Sequence, residues 1–487
     1  MISDDGLIAD ERPSVDAIAA AVGGRFTVGP VTTRHDDCVY YDTFDGLLRE
    51  AGQTLAWPAD VPLHPAALDD RTRAVIGVRA LLPQARVQSV TETVPLLDEL
   101  EKTVARVDVA SPVVVLDGAR KPLASRVTVT GVRGYQDELE VAFELLRTEL
   151  PAHEADCSVH DEAVRAVGAD PAGVNSKPDV ALAPGDRADL AVARVLRALL
   201  GVTDANLPGT LANIDTEFLH DYRVSIRRTR AVLREFRRVF PAADWAHFRG
   251  ELRWLQGVTS DTRDLDVYVL GFEELRALVP GLLQADLDPL RGVLEARRRA
   301  ARAEMVRELQ GERARTLRTE WAAFLGGLQD RPLDDRPDGE KSIGSVSARR
   351  IRRLHRRMVQ MGEAIGQDSP AEDYHELRKK GKELRYMLEL FGTGLHDPAV
   401  VRPMVKALKA LQDVLGRHQD REVQIQTLRE LSAEVASRFG GPEALMAIGV
   451  LIERLDEDAA RARGEFADSF AEFASPEQRR LVKETFR

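Results

Sequence analysis

LHDYRVSIRRTRAVLREFRRVF, residues Leu219 to Phe240, carries two stripes of different chemistry side by side. Every third or fourth residue from Leu219 gives Leu219, Tyr222, Ile226, Thr229, Leu233, Phe236 and Phe240, a mostly apolar seam at helical spacing. One residue further on, the same reading gives His220, Arg223, Arg227, Arg230, Arg234 and Arg237, each a cation or a group that can become one. One residue is about 100° of helix rotation, so the basic stripe lies beside the seam and not opposite it. Guanidiniums at the flank of a packing face line a groove and can meet an anion there. Between His220 and Arg238 the only acids are Asp221 and Glu235, so partners within the helix are scarce.

The pattern recurs in DYHELRKKGKELRYMLELF, Asp373 to Phe391. The seam is Tyr374, Leu377, Gly381, Leu384, Leu388 and Phe391, and the stripe, again one residue on, is His375, Arg378, Lys382 and Arg385. His375, Arg378, Lys382, Arg385 and Phe391 each follow His220, Arg223, Arg227, Arg230 and Phe236 by 155 positions, which marks an internal duplication. Leu252, Leu255, Gln256 and Asp264 recur, one position later, as Leu408, Leu411, Gln412 and Asp420. If the two seams pack together, the two stripes line a shared groove. Arg228 and Lys379 beside the stripes and Arg263, at the start of the predicted 263–279 helix, join the candidate set. The cluster ARRIRRLHRRM, Ala348 to Met358, extends it through Arg352, Arg353 or Arg356.

A net charge of −11 argues against an anionic ligand until it is resolved along the chain. Residues 1–180 hold 17 Lys+Arg against 30 Asp+Glu, and the remainder 51 against 49, so the acidity belongs to the N-terminal third. Local field and not total charge governs a bound anion. No run of about 18 apolar residues suggests a membrane span. Cys38 and Cys157 have no CxxC or Cys/His ligand spacing, so neither a disulfide scaffold nor a zinc site is expected, and a reducing cytoplasm is the default.

The chain reads as an α+β multidomain protein. After a short helix at Ser14–Val22, segments 38–41, 53–57, 74–82, 87–94, 104–109, 112–116, 126–130 and 138–146 read as strands of an antiparallel, barrel-like β domain spanning 1–169. Residues 170–186, rich in Pro, Gly, Asn and Ser, read as a linker. From 187 to 487 nearly everything reads as helix, in halves of about 187–330 and 341–487 divided by the polar RPLDDRPDGE, Arg331 to Glu340. Arg297, Arg298, Arg299 and Arg302 read as a solvated face, and His35, His64, His153 and His160 as surface or loop histidines.

The paired His-x-x-Arg-x-x-x-basic-x-x-Arg helices, each followed by a Leu-Gln helix and then TRDLDV or HQDREV, resemble the CHAD family, the conserved-histidine α-helical domain. That resemblance implies a duplicated helical module binding inorganic polyphosphate in a basic channel between its halves. It further implies that phosphate or sulfate ions could stand in for the ligand, that no cofactor is needed, and that the protein is cytoplasmic and associated with polyphosphate granules. YYDTFDGLLREAGQTLAW, Tyr40 to Trp57, resembles part of the CYTH family of triphosphate-tunnel proteins, with Glu138, Glu140 and Glu144 similar to its later acidic strand. The Glu-x-Glu-x-Lys strand of that family has no counterpart here, since the first thirty residues contain Glu11 alone as glutamate and no lysine. The N-terminal domain is therefore expected to be a degenerate, catalytically inactive relative. Two alternatives stand behind polyphosphate binding. One is a metal-dependent triphosphatase of the CYTH type. The other, ranked last because few aromatics lie near the stripes for base stacking, is nucleic-acid binding through the same groove.

Overall fold

The computed structural model describes residues 6–9, 11–116, 118–366, 369–438 and 441–486. They fall into two compact units, Met1–Asn175 and Ser176–Arg487.

The first unit is built on the strands β1 (Leu7–Ala9), β2 (Thr27–Val28), β3 (Thr32–Asp42), β4 (Leu55–Pro58), β5 (Leu82–Leu97), β6 (Thr103–Leu116), β7 (Ala119–Pro122), β8 (Ser125–Gly131) and β9 (Ala152–Glu154). With them come helices α1 (Val15–Val22), α2 (Leu47–Glu50), α3 (Asp70–Ile76), α4 (Gln136–Glu149) and α5 (Val159–Ala166). The sheet runs β4-β3-β5-β6-β8-β1-β9, with β2 on β5 and β7 on β6, every pair antiparallel. The expected barrel is an open sheet, with β4 at one edge and β9 at the other. One apolar cluster joins Val94, Leu96, Val104 and Val107 to Ile18 of α1 and Phe143 and Leu146 of α4; a smaller one joins Val87 and Val114 to Ala163 and Val164 of α5.

Three segments differ from the strand reading. Residues 74–82 do not form a strand, because Asp69 accepts the Thr72 amide at 2.6 Å and starts α3 instead. Residues 138–146 lie on α4, whose buried Ala142, Phe143 and Leu146 follow the helical repeat, so Glu138, Glu140 and Glu144 form no acidic strand. Residues 104–109 and 112–116 are one strand, in which Pro112 sits opposite Ser89. His160 is also no surface histidine: it is 3% exposed and stacks on Tyr40 at 5.2 Å.

The Asp42-Thr43 pair has a structural task. Asp42 accepts the amides of Thr43, Leu48 and Arg49 at 2.6, 2.9 and 3.0 Å, closing the turn between β3 and α2. That turn needs Gly46 at φ 71°, where a Cβ would meet the Ala172 carbonyl at 2.7 Å.

The second unit is helical: α6 (Ala188–Ala212), α7 (Thr216–Glu235), α8 (Ala242–Val258), α9 (Ser260–Leu270), α10 (Phe272–Ala277), α11 (Asp288–Gln310), α12 (Glu312–Gly327), α13 (Ile343–Glu363), α14 (Ala371–Phe391), α15 (Pro398–Arg438), α16 (Pro442–Phe473) and α17 (Pro476–Thr485). α6 continues through Pro208 and ends with Asn213 in the left-handed region, φ 55°. Asp215 then accepts the Glu217 and Phe218 amides at 2.8 and 3.1 Å and starts α7. The α6–α7 hairpin closes tightly enough that a Cβ on Gly209 would lie 2.2 Å from the Phe218 ring. Gly416 does not interrupt α15, which runs unbroken where its first-half counterpart divides at Thr259 into α8 and α9.

Both seams are buried. Tyr222, Ile226, Phe236, Leu377, Leu384 and Phe391 are each at most 1% exposed and belong to one apolar core. A second core joins Tyr268, Phe272, Leu290 and Leu294 to Ile425, Leu428, Leu451 and Leu455. On α15 the first core reaches Leu415 and the second begins at Ile425; on α16 they end at Leu455 and begin at Phe466. Between them α8–α9, α11, α15 and α16 pass through a polar layer.

RPLDDRPDGE is an anchor and not a free divider. Arg336 and Asp189 are both fully buried and pair at 2.9 Å, and Arg336 also donates to the Pro332 and Leu328 carbonyls at 2.9 and 3.2 Å. Two residues on, Asp338 is 2% exposed and ringed by Lys341, Arg238, Arg350 and Arg349 at 2.7 to 3.6 Å. Burial alone would push the Asp338 carboxyl up; the Lys341 hydrogen bond and the nearby arginines outweigh it and hold the group below the usual range. Arg336→Ala leaves the buried Asp189 carboxylate with Arg187 at 2.8 Å as its ion-pair partner and is expected to cost about 1–3 kcal/mol, read as a lower urea midpoint at unchanged m-value.

Candidate functional site

α7 and α14 cross as near-equivalents. Phe236 and Phe391, 155 residues apart, touch each other with ring centroids 4.7 Å apart. Arg228 pairs with Glu389 at 3.2 Å and Arg234 with Glu383 at 2.7 Å. Position 228 corresponds to 383 and 234 to 389, so the same contact is made twice across a local twofold, arginines on one helix and glutamates on the other. This places Arg228 in the packing and not in the groove: it is 4% exposed and also donates to the Ser176 carbonyl at 2.6 Å.

The stripes share one side of this crossing. Lys382 lines a cavity of about 480 Å³ with Arg378, Arg385, Gln412, Arg417, Asp420 and Arg421. Gly381 lets α15 approach here, since a Cβ would sit 3.2 Å from the Gln412 amide nitrogen. Lys382 has its pKa lowered to about 8, first by burial, then by repulsion from Arg378, Arg227 and Arg385 against attraction from Asp420. Arg227 and Lys382 are thus the same position of the two copies, brought within reach of each other. Among the described residues neither has an ion-pair or hydrogen-bond partner, and the Arg227 Nε is buried and unbonded.

The other stripe residues are held more firmly. Arg223, 7% exposed, donates to Thr259 Oγ1 at 2.7 Å and to the Gln256 carbonyl and Ser260 hydroxyl at 3.2 Å each. Its pKa falls to about 10 through burial, with Arg227 and Arg263 adding repulsion. Arg230 bonds the Gln256 side chain, and its pKa is lowered by burial and then by Arg234, Arg253 and Arg249. Arg378 holds Asp420 at 3.1 Å and Arg385 holds Glu389 at 3.4 Å. His220 is half-buried. His375 lines an adjoining cavity of about 260 Å³ with Gln419, Glu422 and Glu430, its Nδ1 buried without a partner.

Other members of the candidate set turn elsewhere. Arg263 donates to the Thr216 carbonyl at 3.2 Å and pairs with Glu217 at 3.4 Å, bracing the start of α7. Lys379 is exposed and pairs with Glu376, and Arg353 reaches Glu235 at 2.7 Å. Arg352 and Arg356 do not line the stripe cavity; they line a separate one of about 450 Å³ with Arg479 and Lys483. The α11 arginines are also not a plain solvated face: Arg298 pairs with Asp266 at 2.5 Å, and Arg302 caps α6 through the Thr210 and Leu211 carbonyls at 3.2 and 2.7 Å.

Arg417 and Arg421 line the cavity without having been picked out from the sequence. The duplication could not flag them, because Asp261 and Leu265 occupy the equivalent first-half positions. Their spacing of four around the recognised Gln412 and Asp420 is the signal that would have found them. Among the described residues no group of three or more His, Cys, Asp or Glu is placed to hold a metal, and no helix is long and apolar enough to cross a membrane.

A cation-lined cavity thus lies beside a buried apolar crossing. Two uncharacterized proteins of Mycobacterium tuberculosis, MT2285 of strain CDC 1551 and Rv2226 of strain H37Rv, are each 26% identical over 252 residues, covering 50% of this chain and 46% of theirs. The match therefore spans about half the length of these curated relatives. The crystal structure of the CHAD domain from the plant Ricinus communis superposes with a TM-score of 0.51 at 24% identity, covering 61% of this chain and 96% of that one, a likeness of fold. The family model of the CHAD domain matches residues 194–429, and it is to the CHAD family that this part of the chain belongs.

Proposed function

We propose that the helical unit binds inorganic polyphosphate, without catalysis, in the basic channel flanking the α7–α14 crossing. The observation that carries this reading is the pair Arg227 and Lys382: symmetry-related cations near enough to repel each other, neither in an ion pair or hydrogen bond among the described residues. The Lys382 charge costs free energy in the empty protein, and a polyanion relieves that cost. Arg223, Arg230, Arg234, Arg378, Arg385, Arg417 and Arg421 extend the path on both sides, with His220 and His375 as ring donors. Polyphosphate is a flexible chain with about one charge per phosphate and no bases to read, so selectivity rests on a narrow, multiply cationic track. Arginine forks suit it, giving paired bonds to phosphate oxygens at any relevant pH. The first unit is proposed to be a non-enzymatic, degenerate tunnel relative, and the protein to act in the cytoplasm with polyphosphate granules.

Arg227→Ala with Lys382→Met is expected to weaken binding of long-chain polyphosphate at least tenfold in a titration, with helicity unchanged. Unaltered affinity would refute the channel. Wild-type affinity should fall with salt at a log–log slope of about −0.7 per phosphate contact. Single-stranded RNA competing as well as polyphosphate would favour the nucleic-acid reading instead. Phosphate release from triphosphate with magnesium or manganese, lost on removing the first unit, would revive the triphosphatase.

Lys382 also sets a pH signature. Its pKa of about 8 lies below the ordinary 10.5, so a bound polyanion that raises it draws in a proton across that window. Affinity should therefore be flat below pH 8 and drop as pH rises above it, by at most about tenfold per unit for one proton. In the free protein the unfolded chain binds the extra proton between pH 8 and 10.5, so the penalty is fully present below pH 8 and fades above it. Lys382→Met alone should accordingly raise the Tm at pH 7 by calorimetry, with the gain shrinking towards pH 10, while polyphosphate binding weakens.

A further inference from the structure

We infer that the cavity between α13 and α17 is a second anion site, separate from the channel and built for a short chain of two or three phosphates. Arg352 and Arg356 project from one face of α13, and Arg479 and Lys483, also four residues apart, from α17; together they line about 450 Å³. Glu363 is the one acid in the lining, and Arg479 engages it at 2.7 Å. Among the described residues Arg352, Arg356 and Lys483 have no ion-pair or hydrogen-bond partner. Three uncompensated cations around one cavity match the charge of a di- or triphosphate better than that of a single phosphate, and the volume exceeds what one phosphate fills.

His355 completes the floor. It is 5% exposed, lines the cavity, packs on Phe473 at a centroid distance of 5.2 Å, and has no hydrogen-bond partner among the described residues. Burial, with Arg479 nearby, holds its pKa down at about 4, so the ring is neutral at physiological pH and keeps one unspent N–H donor. Val359 and Val482 supply a short apolar wall and Gln360 an amide. The duplication repeats only part of the site: Arg197 stands at the first-half position equivalent to Arg352, but Leu200 and Gly201 stand at those of His355 and Arg356. A nucleoside triphosphate and inorganic triphosphate both offer the required chemistry.

The test uses the full chain carrying Arg378→Ala and Lys382→Met, which disables the channel residues, titrated calorimetrically with inorganic triphosphate and, separately, with ATP. One binding event with at least one of the two is expected, weakened at least tenfold when Arg352→Ala and Arg356→Ala are added. Among the described residues those two arginines have no ion-pair or hydrogen-bond partner, so the Tm should hold, and Lys483→Ala alone should give a smaller loss. A tighter fit for ATP assigns the nucleotide as ligand, and equal fits assign the phosphate chain alone; either upholds the site. Titrations unchanged by the added substitutions, or no binding of either probe before them, would overturn it. The comparison is made within one channel-disabled background, so its outcome is independent of whether long-chain polyphosphate uses the channel.

Discussion

Arg227 and Lys382 lie near enough to repel each other, and among the described residues neither is held by an ion pair or a hydrogen bond. Left to themselves, two like charges on neighbouring helices would push those helices apart. Phe236 and Phe391 at the crossing, and the apolar seams on either side, supply the burial that holds the helices together. The cations gain no stability for the fold, which is the usual mark of residues retained for a ligand. Their neighbours are treated differently: Arg223 is fastened to a backbone carbonyl and two hydroxyls, and Arg378 to Asp420. The track thus has fixed rails and an unsatisfied centre.

The polar layer is the second element of this arrangement. One continuous apolar core would leave no room for charge inside the bundle. Splitting it in two, so that α15 changes from core residue Leu415 to core residue Ile425 across Gly416–Gln424, opens a gap lined by that segment. Three acids of the layer are ion-paired: Asp266 with Arg298, Asp420 with Arg378 and Asp458 with Arg421. Their charges are thereby offset close to where they arise, and Arg227 and Lys382 remain available to an anion from outside.

The seams and their phase relative to the stripes were legible in the sequence because a one-residue offset on a helix is a fixed rotation, whatever surrounds it. Local propensity does not mark the helix ends: Pro208 lies inside α6 and Gly416 inside α15, since tertiary packing overrides it. In the N-terminal unit the acidic run Glu138–Glu144 belonged to a helix whose burial repeat was hidden among its charges. Long side chains were the hardest to place. Arg228, one position from the stripe, points into the packing, and Arg352 and Arg356 share a helix with Arg353 yet line a different cavity. A guanidinium can reach several angström to either side of its backbone, so stripe membership fixes its Cα and not its head group.

The exchanged charges at the crossing bear on how the chain chooses its own partner. Two first halves meeting through this face would set Arg228 against Arg234 twice over, and two second halves would set Glu383 against Glu389 twice over. Only one half of each kind neutralises both contacts. A duplication that began with interchangeable copies has thus become a lock with two unlike parts, and the tether through the buried Arg336 ensures that the matching part is always at hand.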